Sequence, residues 1–239
     1  MAEHISRKEL KQDKIRESFA QGAEAVISHG TFTTIIVSVI VAVVIIGGGW
    51  RIYLERRNVN ASAAFEEAMK IYNARIRAAG EPAETGEVTY LDDQTKLKAA
   101  SVKFMDVADR YPRTNPGKLG RYYAGLCLEG LTQYNQALEQ LQKVNSGSDK
   151  ELAALTQFQI AQVYARMGKS DEAVKIYRAL AGQQSIFVPR AFVLLELAAQ
   201  LRATKPKEAA DVYAQIKKEF PDSSISEQAD RGLENLPKT

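Results

Sequence analysis

Few side chains in this chain are equipped for covalent or metal chemistry. The only histidines are His4 and His29, both ahead of a long apolar run, and the only cysteine is Cys127. No His–Cys cluster has metal-ligand spacing, and neither phosphate-cradling pattern, G-x-x-x-x-G-K-[ST] or G-x-G-x-x-G, occurs. Lys and Glu recur at i, i+3 and i+4, the spacing of surface pairs on helices. A lone cysteine closes no intramolecular disulfide, and within Tyr122–Leu128 it reads as a small apolar residue of a helix interior. No cysteine lies near the N-terminus, as a bacterial lipoprotein would need. The expectation is a protein that is not an enzyme and that holds no metal and no cofactor. Recognition chemistry remains. Tyr122 and Glu129, then Phe158, Gln162 and Arg166, then Leu195 and Arg202 fall on one face of successive helices. Aromatic rings interleaved with Arg suit an extended peptide or a partner helix, and packing between helices is the competing assignment for Tyr122 and Phe158.

The elements that position these residues follow from an internal period. Ala-x3-(Phe/Tyr/Leu) recurs as Ala100 with Phe104, Ala137 with Leu141, Ala173 with Tyr177 and Ala209 with Tyr213, in steps of 37, 36 and 36 residues. Pro112 and Pro221 follow the first and last copies, preceded by Tyr111 and Phe220; Asp149 and Ser185 take that place in the middle two. Upstream of each of the last three alanines lies a small residue, Gly125, Ala161 or Ala198, with Leu128, Tyr164 or Leu201 three further on. Small residues let two antiparallel helices approach, and the bulky residue after the alanine fills the groove of the next helix. The first copy is split. A helix near Ala61–Ala79, with Phe65, Met69, Tyr72 and Ile76 on one face, runs into the breaker-rich loop Gly80–Gly86. Pro221-Asp222-Ser223-Ser224 starts a last helix that exposes Glu227, Asp230, Arg231 and Glu234, as a terminal cap should.

Ahead of the repeats, residues 25–50 contain no Asp, Glu, Lys or Arg, and Thr31–Trp50 supplies about the 20 apolar residues a bilayer core requires. Eleven residues from Phe32 to Ile46 are Ile, Val or Phe, together on the order of −3 to −7 kcal/mol for insertion. Trp50 and Tyr53 stand where an interfacial belt would sit, and Arg51, Arg56 and Arg57 can reach headgroups. A cleaved signal peptide is the rival, but its nearest small-x-small site, Ala61-Ser62-Ala63, lies far beyond the run. Lys11, Lys14 and Arg16 before the span nearly balance Arg51, Arg56, Arg57 and Lys70 after it, so charge alone leaves the orientation open. One long helix is expected to leave the membrane and join the repeats, with a flexible tether starting at Gly47–Gly49 as the competing reading. Net charge is +3 with both signs mixed and no basic stripe, so nucleic acid is not an expected partner. Ser38-x3-Ala42 is a small-xxx-small pair, which makes a homo-oligomer through the span an open option.

The repeat resembles the tetratricopeptide repeat, in its order of small residue, aromatic, Ala, aromatic and Pro, over about residues 60–235. It departs from that pattern in lacking the first-helix Trp and in running two residues long. The expected fold is all-α: a tail (1–30), a single transmembrane helix (31–54) and a repeat α-solenoid (55–239) of about four helix pairs with a C-terminal capping helix. The Lys/Asn set by which chaperone-binding repeats clamp a C-terminal carboxylate is not evident. The tail His4-Ile5-Ser6-Arg7-Lys8-Glu9-Leu10-Lys11, one span and four repeats together resemble bacterial anchored repeat proteins of the YfgM type, ancillary subunits of the Sec translocon. That resemblance implies an inner-membrane protein with a cytoplasmic N-terminus and periplasmic repeats. Its implied partners are translocon subunits, a prolyl isomerase chaperone and secretory clients. An envelope scaffold for cell-division or outer-membrane assembly machinery is the alternative, suggested by the Phe220-Pro221-Asp222-Ser223 segment.

Overall fold

The computed structural model describes residues 30–78, 80–81, 86–144 and 146–237. The tail motif His4–Lys11, both histidines and residues 82–85 of the breaker loop lie outside the described residues. Contacts divide the chain into two compact units, one ending at Arg56 and one running Arg57–Thr239.

The first helix, α1, spans Gly30–Tyr72. It continues through Gly47–Gly49, so no break begins at the glycines. Its apolar residues from Ile35 to Ile46 are between 43% and 70% exposed, and the helix is long and apolar enough to cross a membrane. Ala61 of the small-x-small site is fully buried within α1.

In the second unit, α1 ends at Tyr72, short of the Ala79 expected from periodicity. Asn73 and Ala74 turn the chain, and Arg75–Ile76 (β1) pairs in parallel with Thr89–Tyr90 (β2). Ile76 therefore leaves the face it was assigned to and is exposed at the end of this two-residue ribbon. Gly80 and Gly86, in the connection between the strands, take left-handed φ of +87° and +88°.

The helices that follow are α2 (Asp93–Arg110), α3 (Asn115–Gly130), α4 (Tyr134–Gln142), α5 (Lys150–Arg166), α6 (Ser170–Ala181), α7 (Arg190–Leu201), α8 (Pro206–Glu219) and α9 (Ser224–Glu234). Each packs on its sequence neighbour, giving four pairs (the end of α1 with α2, α3/α4, α5/α6 and α7/α8) and a cap, α9. All four repeat alanines are fully buried. The core runs as successive clusters joined at shared helices, the nearest-neighbour arrangement of a solenoid. Phe65, Tyr72, Phe104 and Tyr123 weld α1 to α2 and α3, with ring centroids 5.2–6.0 Å apart.

The small residues do the work their spacing implies, although the bulky partner does not always come from the next helix. A Cβ on Gly125 would lie 2.6 Å from Leu141 Cγ, within the same pair. One on Gly232 of α9 would lie 2.4 Å from Tyr213 Cζ, in the helix before it. The two Pro substitutes hold loops in other ways. Asp149 caps α5 by accepting from Leu152 N at 2.9 Å. Ser185 donates to Glu151 at 2.6 Å, and the same carboxylate oxygen takes the Ile186 and Phe187 amides at 3.0 and 3.1 Å.

The α3–α4 and α5–α6 turns are the same motif 36 residues apart. Thr132 and Gly168 are left-handed, with φ of +59° and +74°. Gln133 N donates to Leu128 O and Lys169 N to Tyr164 O, the long bond of a Schellman motif. Ser223 caps α9 through Ser226 N at 3.2 Å. Of the four polar residues expected to be exposed on α9, Asp230 is half-buried and pairs with Lys217 at 2.5 Å.

Candidate protein-binding surface

The first helices of successive pairs, α3, α5 and α7, bear the residues singled out for recognition. Tyr122 is half-buried against the Leu128–Leu141 cluster, where burial pushes its hydroxyl up to about 12. Phe158 packs edge-on to Tyr177, centroids 5.7 Å apart, and Leu195 lies against the same cluster. Glu129 and Arg166 come together: Arg166 Nε stands 2.7 Å from Glu129 Oε1, and Gln159 Nε2 donates to Glu129 Oε2. The carboxylate is 7% exposed, and burial pushes it above its ordinary range while Arg166 and Gln159 pull it back. The trio ties the second pair to the third. Arg202 is exposed at the end of α7.

Between α5 and α7 lies a recess of about 320 Å³ lined by Gln162, Ala165, Arg166, Tyr177, Glu196 and Gln200. Gln162 and Arg166 are one turn apart on α5, and Glu196 and Gln200 one turn apart on α7, so each helix presents an i, i+4 pair. Tyr177 is fully buried and its hydroxyl has no hydrogen-bond partner among the described residues. Burial, then the Glu196 and Glu129 carboxylates, raise its pKa. Glu196 is half-buried, and burial pushes its carboxyl above the ordinary value.

Tyr177, Glu196 and Gln200 escaped the sequence reading. Tyr177 follows Ala173 by four, which is a core spacing, while the i, i+4 stripe Glu196–Gln200 opposite Gln162–Arg166 is visible in the sequence. A second recess, about 720 Å³, is bounded by Asn58, Ser62 and Phe65 of α1 and by Arg113–Pro116. It is larger, yet no buried unpartnered polar side chain lines it among the described residues. The smaller recess therefore has the stronger chemical character.

Paired antiparallel helices with a small-for-large exchange at their crossings define a helical-hairpin repeat protein. Comparison with known families makes this specific. A tetratricopeptide repeat-like domain matches residues 28–185 and a tetratricopeptide repeat matches residues 192–223. The chain belongs to the tetratricopeptide repeat-like domain family. No curated protein matches it. Among solved structures it is similar to a putative kinesin light chain of Podosopora anserina with nearly identical TPR-like repeats. That match has a TM-score of 0.53 and 14% identity over 73% of this chain and 83% of the other. A single-substitution form of that protein matches equally. At that identity the likeness is one of fold.

Proposed function

We propose that this chain is a non-enzymatic, membrane-anchored binding module that holds polypeptides on the first-helix face of its repeats and assists secreted-protein translocation at the Sec translocon. The observation that carries the reading is the joining of the two parts. A repeat family built for protein contact begins here with a helix whose apolar residues, Ile35–Ile46, are unburied, as lipid-facing residues would be. Residues 31–54 form the span in this reading and 55–239 the binding domain. The N-terminus lies in the cytoplasm of a bacterium and the repeats lie in the periplasm, beside a membrane-anchored prolyl isomerase chaperone. The tail motif, single span and four-unit stack support that assignment. Tyr122, Glu129, Phe158, Gln162, Arg166, Leu195 and Arg202 form or brace the binding face. Self-association through Ser38 and Ala42 is compatible with it.

Crosslinking in native membranes, followed by purification of the tagged chain and mass spectrometry, tests the reading. Translocon subunits and a prolyl isomerase in the eluate are expected. Division or peptidoglycan-synthesis proteins without translocon subunits would reject it in favour of an envelope scaffold.

A further inference from the structure

Taking the first-helix face as the binding surface, as argued above, we infer that the recess between α5 and α7 is a subsite for a lysine or arginine side chain of the bound polypeptide, with the Glu196 carboxylate as counter-charge and the Tyr177 hydroxyl as a second acceptor.

The charge balance selects a cation. Arg166 is already paired with Glu129, so the two cancel. Glu196 has no ion pair and no hydrogen bond among the described residues, so its charge is the one left uncompensated in the recess. A carboxylate drawn half out of water is unfavourable until a cation joins it, and its raised pKa reports that cost. The floor gives an independent indication. Buried polar groups are nearly always satisfied, yet the Tyr177 hydroxyl is not. An entering ammonium or guanidinium brings N–H donors and no acceptor, which matches a carboxylate and a free hydroxyl oxygen. Gln200 accepts from Ser170 Oγ at 3.2 Å through its carbonyl, which fixes the amide that borders the recess.

Size and flank agree. A volume near 320 Å³ sits at the lower limit of small-molecule sites and accommodates one long side chain more readily than a whole ligand. Phe192 lies one turn before Glu196 on α7 and is 50% exposed. It supplies an apolar contact for the aliphatic stem or for a neighbouring residue of the peptide.

The test uses the full chain in detergent micelles and an array of random peptides about twelve residues long. Bound peptides should be enriched in Lys or Arg. Replacing that residue by norleucine should weaken binding to the wild type about tenfold. It should change little in Glu196→Gln, whose melting temperature should match or exceed that of the wild type. Tyr177→Phe should show a smaller loss of the same preference. Peptides that bind equally well after the replacement, or lose equal affinity in wild type and Glu196→Gln, would overturn the cation subsite and leave the binding face standing. Failure to retain any peptide would overturn the binding face itself, and the subsite with it.

Discussion

Arg166→Ala should destabilise the repeat stack in a way that depends on pH. Glu129 sits on α3 with 7% exposure and is held from α5 by Arg166 Nε at 2.7 Å and by the Gln159 amide. Removing one partner of a fully buried pair costs about 3–5 kcal/mol. Here the Arg166 side chain is 61% exposed and Gln159 remains, so the loss should be about 1–2 kcal/mol at neutral pH. Burial already lifts the Glu129 carboxyl above its ordinary value, and the variant removes the guanidinium that opposes the lift. A folded-state pKa above the unfolded one means that the native chain retains a proton the unfolded chain has lost. Stability therefore falls as pH rises from the ordinary carboxylate value towards the folded one, and falls further in the variant. The deficit should be smaller near pH 4 than at pH 7.5. Thermal unfolding of the full chain in micelles, followed by circular dichroism, measures it at about 2–4 °C per kcal/mol. In a Glu129→Gln background, Arg166→Ala should cost little. An Arg166→Ala deficit that is absent at pH 7.5, or equal at both pH values, would refute the argument.

Three further outcomes follow from the packing. Gly125→Ala and Gly232→Ala should each lower the melting temperature, because the added Cβ would lie 2.6 Å from Leu141 Cγ and 2.4 Å from Tyr213 Cζ. Overpacking of about 1–3 kcal/mol exceeds the ~1 kcal/mol that alanine gains in a helix, so a raised melting temperature would reverse that ranking. Thr132→Gly should stabilise by about 1 kcal/mol, since a β-branched residue occupies the left-handed position that Gly168 fills in the next unit; an unchanged midpoint in urea would contradict it. Cys127, fully buried and with its thiol pushed up to about 12 by burial, should resist iodoacetamide at pH 8 until the chain is unfolded, and labelling of native protein would show the site to be open.

The fold was legible because its signal is redundant. Ala100, Ala137, Ala173 and Ala209 are each fully buried, and four copies at steps of 36–37 residues outweigh the missing Trp and two missing prolines. Ser223 announced the cap helix by local chemistry. The end of α1 was not legible, because Ile76 continues the helical period. What removes it from the helix is pairing with Tyr90 across a loop, a contact no local pattern encodes. Continuity through Gly47–Gly49 was legible in the apolar run and the helical face that flank it, and it holds although glycine weakens a helix by about 1 kcal/mol per residue.

The candidate site shows a deeper limit of reading by repeat. The position four after each alanine demands bulk, and Phe104 and Leu141 meet that demand with hydrocarbon alone. Tyr177 fills the same position, and its hydroxyl adds nothing to the packing that a phenyl ring would not supply. A buried hydroxyl without a partner is unfavourable by about 1–3 kcal/mol. On stability grounds Tyr177→Phe should therefore be neutral or stabilising, by up to about 1 kcal/mol in the melting assay. If the hydroxyl serves a bound cation, the same variant should lose part of the Lys/Arg preference in peptide binding, so that stability and recognition move in opposite directions. A Tyr177→Phe chain that is less stable than the wild type would mean that the hydroxyl is satisfied in the unliganded protein, and the recess would then lose its unsatisfied floor. Spacing assigns the ring to the core, and only the surroundings of its oxygen connect it to the binding face.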